Sequence, residues 1–388
     1  MLVNTADWYH FINSGPIEPE AQATTEQTRR ILKGIEVHDT RPYMVYLRPV
    51  QSTDPYQATD PNWLCGGAII HERYILTSAA CIEDVKQFFV ISGTNKLVQL
   101  HDCIKNGAKK AIWKCVPKNY IYDGEEFDNI RWMSGDLAVV KVEDNFNFEK
   151  RVKGCDFIPQ KIPFNNDSAD LEKPGKIAST AGWGSVDKFG DARAAAVNSP
   201  NLMETDVVIL SNKNCKKRWD PRYHSIIEES MICVKDEHET ENAACTVNCK
   251  EMVYSDNEDE DDEPSRRFMV DPQILDVHSA SHFNGNQSYR RYKVSSGGFC
   301  ENDHGGPLVH GHGKSAIVIG VISACLTRSI TKKCYGPFLY TSVFTYRNVI
   351  SCAINKDITG DNTCMKFLRS SKTHIKETNF NWDGRSKG

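Results

Sequence analysis

The chain has no long hydrophobic run. Its longest apolar stretches, such as Ile317–Ile322, are strand-sized, whereas a membrane-spanning helix needs about 20 residues. It also lacks an excess of charge of one sign. A formal net charge of −4 over 388 residues provides no field that would gather nucleic acid, so neither a nucleic-acid nor a membrane partner is expected. The amino terminus, MLVNTADWYHFINSG, has neither the basic start nor the sustained apolar core of a leader peptide. Tight cysteine repeats of the zinc-module kind are missing as well, and no metal or cofactor is expected.

What the chain does have is 14 cysteines at scattered spacings and 40% apolar residues. The first points to a disulfide framework in an oxidising compartment, hence to an exported chain despite the missing leader. The second suffices for a real core. Short β-like runs recur from Ile31 to about Ile350: YMVYL at 43–47, AIIHERYIL at 68–76, FFVISG at 88–93, LAVVKV at 137–142, DVVIL at 206–210 and AIVIGVI at 316–322. Gly, Asn, Asp and Pro punctuate them, which predicts an all-β fold rather than alternating β and α units.

Residues 1–30 read as a short polar pro-segment ending in Arg29-Arg30, residues 31–352 as the folded domain, and residues 353–388 as a basic, disordered tail after a terminal helix. Two long loop insertions interrupt the domain, at 185–201 and at about 234–294. The second carries six consecutive acids, Glu258–Glu263, and a Cys245-x-x-x-Cys249 pair. Six like charges repel one another, so a solvated loop is expected there.

Several segments, read in order, resemble the trypsin/chymotrypsin family of serine proteases. Arg30 followed by Ile31-Leu32-Lys33-Gly34 resembles its activation junction. Trp63 to Ile70 and Leu76 to Cys81 resemble the two halves of its histidine region. Asp136-Leu137-Ala138-Val139-Val140 resembles the aspartate strand, and Ala181-Gly182-Trp183-Gly184 the entry to the second barrel. Cys300 to Leu308 (CENDHGGPL) resembles the nucleophile loop, and Pro337 to Thr341 a late strand. The resemblance implies two six-stranded antiparallel barrels, a C-terminal helix and a site in the cleft between the barrels.

The departures from that pattern bear on function. A triad needs a serine to attack, a histidine to take its proton and a buried aspartate to orient the histidine. The resemblance places Ala80 where the histidine stands and His304 where the serine stands, leaving Asp136 alone intact. Asn302 replaces a glycine of the oxyanion loop. Gly298 and Phe299 stand at the base of the specificity pocket, and Ala324 and Cys325 on its wall strand, with no carboxylate for a basic substrate side chain. Ala80 leaves a space beside Asp136, and His304 is expected either to turn into it and bond that carboxylate, or to face solvent with Asp136 held by water or a hydroxyl.

The resemblance further implies bridges Cys65–Cys81, Cys215–Cys233 and Cys300–Cys334, and the joint loss of another at Ala178 and His310. The remaining eight cysteines have no deducible pairing. Asp303 is where the family receives the new amino terminus after cleavage, so Arg30–Ile31 is a candidate cleavage site with Asp303 as receiver; the alternative is that Asp303 merely satisfies loop amides. His278 and His282 have helical spacing but lack a metalloprotease glutamate. Asn166 and Asn286 head glycosylation sequons.

The expected function is that of an exported, non-catalytic protease homologue that binds a protein partner. The alternatives are residual or altered hydrolysis, with Ser296 and Cys325 near the pocket in sequence, and a structural role in a secretion.

Overall fold

In the computed structural model the described residues are 34–50, 65–83, 85–97, 102–120, 134–184, 198–236, 299, 303–327, 334–359 and 375–382. They form two antiparallel β-barrels. Barrel one contains β2 (Met44–Pro49), β3 (Cys65–His71), β4 (Tyr74–Thr77), β5 (Phe88–Ile91), β6 (Lys109–Pro117) and β7 (Ala138–Val142), ordered β6-β5-β2-β3-β4-β7 and closed by a β6–β7 pairing. Barrel two contains β8 (Ile177–Gly182), β9 (Met203–Ile209), β10 (Met231–Asp236), β11 (Pro307–His310), β12 (Ile317–Thr327) and β13 (Cys334–Ser342), ordered β9-β10-β13-β12-β11-β8 and closed by β8–β9. Each closed barrel carries one extra strand: β1 (Ile35–Glu36) on β9 and β14 (Ile375–Asn379) on β6.

The interiors follow from the strand sequences. In barrel one Val45, Leu47, Ile69, Ile75, Phe88, Val90 and Val140 point inward. In barrel two Val207, Ile209, Val234, Leu308, Ile319, Ile322, Phe338 and Tyr340 do the same. The run 68–76 is two strands rather than one, because Glu72 and Arg73 turn the chain between β3 and β4. Trp183 joins the halves: its ring meets Tyr46 edge-on at 5.3 Å and its indole N–H donates to the Asn95 carbonyl at 2.8 Å.

Among the helices are α1 (Asp102–Gly107), α2 (Asn212–Lys216), α3 (His224–Ser230) and α4 (Val343–Thr359). The last begins well before Cys352, where the sequence suggested. Its start is fixed by side chains: the Ser342 hydroxyl accepts from the Thr345 amide at 3.0 Å, and the half-buried Glu172 carboxylate accepts from Ser342 Oγ at 2.6 Å and from the Phe344 amide at 3.0 Å. Burial pushes the Glu172 carboxyl above its ordinary value, opposed by these donors. Val343, Tyr346, Val349, Ile350, Ala353 and Ile354 face the core at the spacing of one helix face. No helix among the described residues is long and apolar enough to cross a membrane.

β10 runs through Asp236, at the start of the insert placed at about 234. The segment expected as a disordered tail contains β14, paired antiparallel with β6 from Ile375↔Pro117 to Asn379↔Trp113. A ladder needs backbone groups, not apolar side chains, and the polar Lys376–Asn379 side chains of β14 stay exposed.

Three bridges join described cysteines: Cys65–Cys81, Cys103–Cys155 and Cys215–Cys233. Cys334 and Cys352 are also disulfide-bonded; Cys300 lies outside the described residues, as do Cys245, Cys249 and Cys364. Cys115 and Cys325 are buried thiols. The Cys103–Cys155 bridge pins α1 to the loop after β7 across 52 residues. Replacing both cysteines by serine is expected to lower stability by about 2–4 kcal/mol, read as a lower midpoint in urea unfolding.

Candidate functional site

Asp136 lies just before β7 and is fully buried. Its Oδ1 accepts from Ser78 Oγ at 2.5 Å and from the Ala80 amide at 2.9 Å, and its Oδ2 accepts from Ser323 Oγ at 2.8 Å. Ser78 and Ala80 follow β4 of barrel one, whereas Ser323 belongs to β12 of barrel two, so the carboxylate ties the barrels together. Thr341 Oγ1 of β13 adds a bond to the Asp136 carbonyl at 2.8 Å. Burial pushes the carboxyl up to about 6, although the Ala80 and Ala79 amides and both serine hydroxyls pull the other way.

Of the two alternatives for Asp136, the described contacts show the carboxylate held by hydroxyls, and no bond to His304 is among them. Ser78 and Ser323 bring hydroxyl donors and Ala80 an amide donor to the carboxylate. His304 is partly buried and its ring stands edge-on to Phe299 at 6.4 Å between centroids. Ala80, partly buried, packs against a core cluster to which both barrels contribute.

The loop bearing His304 is fixed by its backbone. The His304 carbonyl accepts from the Gly66 amide at 2.8 Å, and the Gly305 amide donates to the Ile322 carbonyl at 3.1 Å. Gly305 has φ +79°, and a Cβ there would lie 2.3 Å from Thr77 Oγ1 and 2.6 Å from the Gly66 carbonyl oxygen; only glycine fits. Asp303 is buried, and its Oδ1 accepts from the Gly184 amide at 2.8 Å. A Cβ on Gly182 would stand 2.1 Å from that oxygen, which explains glycine at this position. Arg30, Ile31, Gly298 and Asn302 lie outside the described residues, as do Asn286, Ser296, His278 and His282.

Where the sequence places a specificity pocket, the described side chains are packed. Phe299 is fully buried, with its ring 5.1 Å from Phe338 and 5.1 Å from Tyr340. Cys325 and Cys334 belong to the same core cluster, and Ala324 is buried in a cluster to which both barrels contribute. Phe338 was not singled out from sequence; the signal available was its place within the Pro337–Thr341 strand, two residues from Tyr340 on the same face. No group of three or more potential metal ligands occurs among the described residues.

The pair Ala178 and His310 sits on neighbouring strands. β8 and β11 pair Leu308↔Thr180 and Val309↔Ser179, so His310 falls next to Ala178 in register. His310 Nδ1 lies 2.9 Å from the Ile177 carbonyl oxygen, a hydrogen bond across the strands where the family resemblance implies a disulfide.

Asp136→Asn is a direct test of the carboxylate. A folded-state value near 6, above the ordinary 3.8, means that wild-type stability falls as pH rises from about 4 to about 6 and is flat above. The amide has no charge to desolvate, keeps an acceptor for Ala80 and Ser78, and can donate to Ser323. The variant is therefore expected to gain on wild type over that window, by roughly 1–3 kcal/mol at pH 7, and to match it near pH 4. Urea unfolding of both proteins from pH 4 to 8 reads the difference. Loss of stability in the variant at pH 7 would contradict this account of the site.

The sequence profile of the family described as Trypsin matches residues 36–248. A chymotrypsin of Phaedon cochleariae is 26% identical over 219 residues, covering 56% of this chain and 67% of that protein. The serine protease grass of Drosophila melanogaster is 26% identical over 218 residues, and the aligned part spans only half of that protein (53% of this chain, 50% of the other). Among solved structures, neuropsin, a serine protease expressed in the limbic system of mouse brain, superposes with a TM-score of 0.48 at 17% identity, covering 84% of this chain and 100% of the other. With the profile match spanning more than half of its length, this chain belongs to the trypsin family.

Proposed function

We propose that this trypsin-family protein is an exported, non-catalytic protease homologue that works by binding other proteins, as a regulator, decoy or cofactor of proteolysis. The observation that carries the reading is the occupancy of Asp136: its carboxylate is taken up by Ser78, Ser323 and the Ala80 amide, and the residue beside it at the histidine's place is alanine. A methyl group accepts no proton, and an imidazole at position 304 offers no hydroxyl for an acyl-enzyme by the family route. The packed Phe299, Phe338 and Tyr340 rings support the same reading, since a substrate side chain would have to displace them. The relatives bear the names of proteases, and the rival reading is hydrolysis through a displaced nucleophile.

Fluorophosphonate labelling separates the two. No labelling is expected, before or after tryptic cleavage at Arg30, beside a trypsin control that labels. Stoichiometric labelling of one residue would overturn the proposal.

Export is supported by the three bridges among described cysteines. Asn166 is exposed and precedes a short 3-10 helix that Ser168 caps by accepting from the Asp170 amide at 3.1 Å. Secretion from eukaryotic cells is expected to add a glycan there, removed by peptide N-glycosidase and absent from Asn166→Gln. An unchanged electrophoretic mobility in both tests would count against Asn166 as an acceptor.

A further inference from the structure

Lysine and arginine crowd the connection from β9 to β10. Between Ser211 and Tyr223 stand Lys213, Lys216, Lys217, Arg218 and Arg222, against the single acid Asp220. The chain as a whole carries a formal net charge of −4, so this local excess runs against the overall balance. Two of the five cations are neutralised in place: Lys216 pairs with Glu228 of α3, and Arg222 Nε lies 3.2 Å from Asp220. Lys213, Lys217 and Arg218 are exposed, and none of these three side chains forms an ion pair among the described residues. Lys213 and Lys217 stand one helical turn apart, where like charges repel. Stability alone gives no reason to keep both.

The backbone beneath these cations is fixed. The Ser211 hydroxyl caps α2 by accepting from the Asn214 amide at 3.3 Å, and Cys215 is bridged to Cys233 on β10. The Trp219 indole N–H donates to the Pro337 carbonyl at 3.1 Å, and its ring meets Tyr223 edge-on at 5.5 Å. His224 Nε2 lies 3.0 Å from the Lys216 carbonyl oxygen and 2.9 Å from that of Trp219, which ties the turn after α2 to the start of α3. Cys215, Trp219, Tyr223, Ile226 and Ile227 are buried in the core, so the connection is anchored along its inner side. Cations presented on a fixed backbone lose little freedom on binding beyond that of their own side chains.

We propose that Lys213, Lys217 and Arg218 form a docking site for an extended acidic segment of a partner protein, with carboxylates at alternate positions. Residues one turn apart on a helix have Cβ atoms about 5–6 Å apart, and alternate side chains of an extended strand are about 6–7 Å apart. Successive carboxylates on one face of the segment can therefore each meet a cation. Arg218 offers the planar fork that takes a carboxylate through two N–H bonds. The acids of the same connection decide the class of partner. Asp220, Glu228 and Glu229 would repel a uniformly charged polymer such as a sulfated glycan, whereas discrete acidic side chains can be spaced to avoid them. The inference rests on the reading that this chain works by binding proteins, and gives the chemistry of one partner surface.

The probe is a fluorescein-labelled peptide of alternating glutamate and glycine, beside its glutamine counterpart. The full chain is expected to bind the glutamate peptide saturably at low ionic strength, to release it as salt rises, and to ignore the glutamine peptide. A variant carrying Lys213→Glu, Lys217→Glu and Arg218→Glu is expected to bind roughly tenfold more weakly or worse. A second variant, with Lys105→Glu, Lys150→Glu and Lys153→Glu, makes the same change in net charge at exposed positions of α1 and the loop after β7, and is expected to bind like wild type. Should the first variant fail to fold, Lys213→Gln, Lys217→Gln and Arg218→Gln replace its substitutions with the same expectation. A wild-type chain that ignores the glutamate peptide would overturn the proposal, as would equal losses in the two charge-reversed variants. So would a sulfated oligosaccharide of equal charge that binds the same residues more tightly than the peptide, since the occupant would then be a glycan. Fluorophosphonate labelling reads the non-catalytic assignment separately, so either reading can fail alone.

Discussion

A carboxylate removed from water needs compensation worth several kcal/mol, or it loses its charge. Asp136 meets this constraint with donors drawn from both barrels, and much of the centre follows from it. Ser78 and the Ala80 amide come from the end of β4, Ser323 from β12, and the Asp136 carbonyl is held by Thr341 of β13. These elements must meet at one point for the carboxylate to be solvated by protein. The neighbouring loop obeys the same convergence: Gly305 lies against Thr77 and Gly66 so closely that no side chain fits. The centre of the cleft is thus a joint between barrels, whatever chemistry it performs.

The neighbouring residues share the work of holding polar groups. At Asp136, Ser78 provides a hydroxyl at 2.5 Å and Ala80 its amide at 2.9 Å. His310 and Ala178 stand where a bridge is implied, and the His310 ring bonds the Ile177 carbonyl across the same strands. Phe299 and Phe338 fill the volume expected to admit a substrate side chain, and each ring is fully buried against apolar neighbours. Burying two phenyl rings contributes on the order of 1.5–3 kcal/mol each. Such packing strengthens barrel two.

The legible part of the fold was the part written in apolar alternation and ordered motifs. LAVVKV gave β7 and AIVIGVI the first half of β12, and the succession of motifs implied two barrels. Less legible were elements set by polar or long-range contacts. β6, KKAIWKCVP, mixes lysines into a buried strand, and the buried Lys114 amine is accommodated because it donates to the Ile82 carbonyl at 2.8 Å. α4 begins where Ser342 and the distant Glu172 place caps, information spread over 170 residues. β14 carries almost no apolar signal in IKETN, since its stability comes from a ladder to a strand over 250 residues away in sequence. At the site itself, Asp136 could be singled out from sequence, but Ser78 as its donor and Phe338 as a ring beside Phe299 required three dimensions.

β14 and the inter-barrel joint are linked by one short loop. Lys114 Nζ donates to the Ile82 and Glu83 carbonyls, and Lys376 reaches the Glu83 carboxylate. Cys81, immediately before, is bridged to Cys65 on β3, and Ala80 precedes it with its amide on Asp136. A pull on Glu83 from β14 therefore meets the disulfide before it reaches the carboxylate. The bridge fixes Cys81 to a strand at the heart of barrel one, whereas the contacts at Glu83 are a partly exposed ion pair and carbonyl bonds of modest strength. The softer contacts yield first. The Asp136 joint is thereby insulated from the contacts that β14 makes on the edge of barrel one.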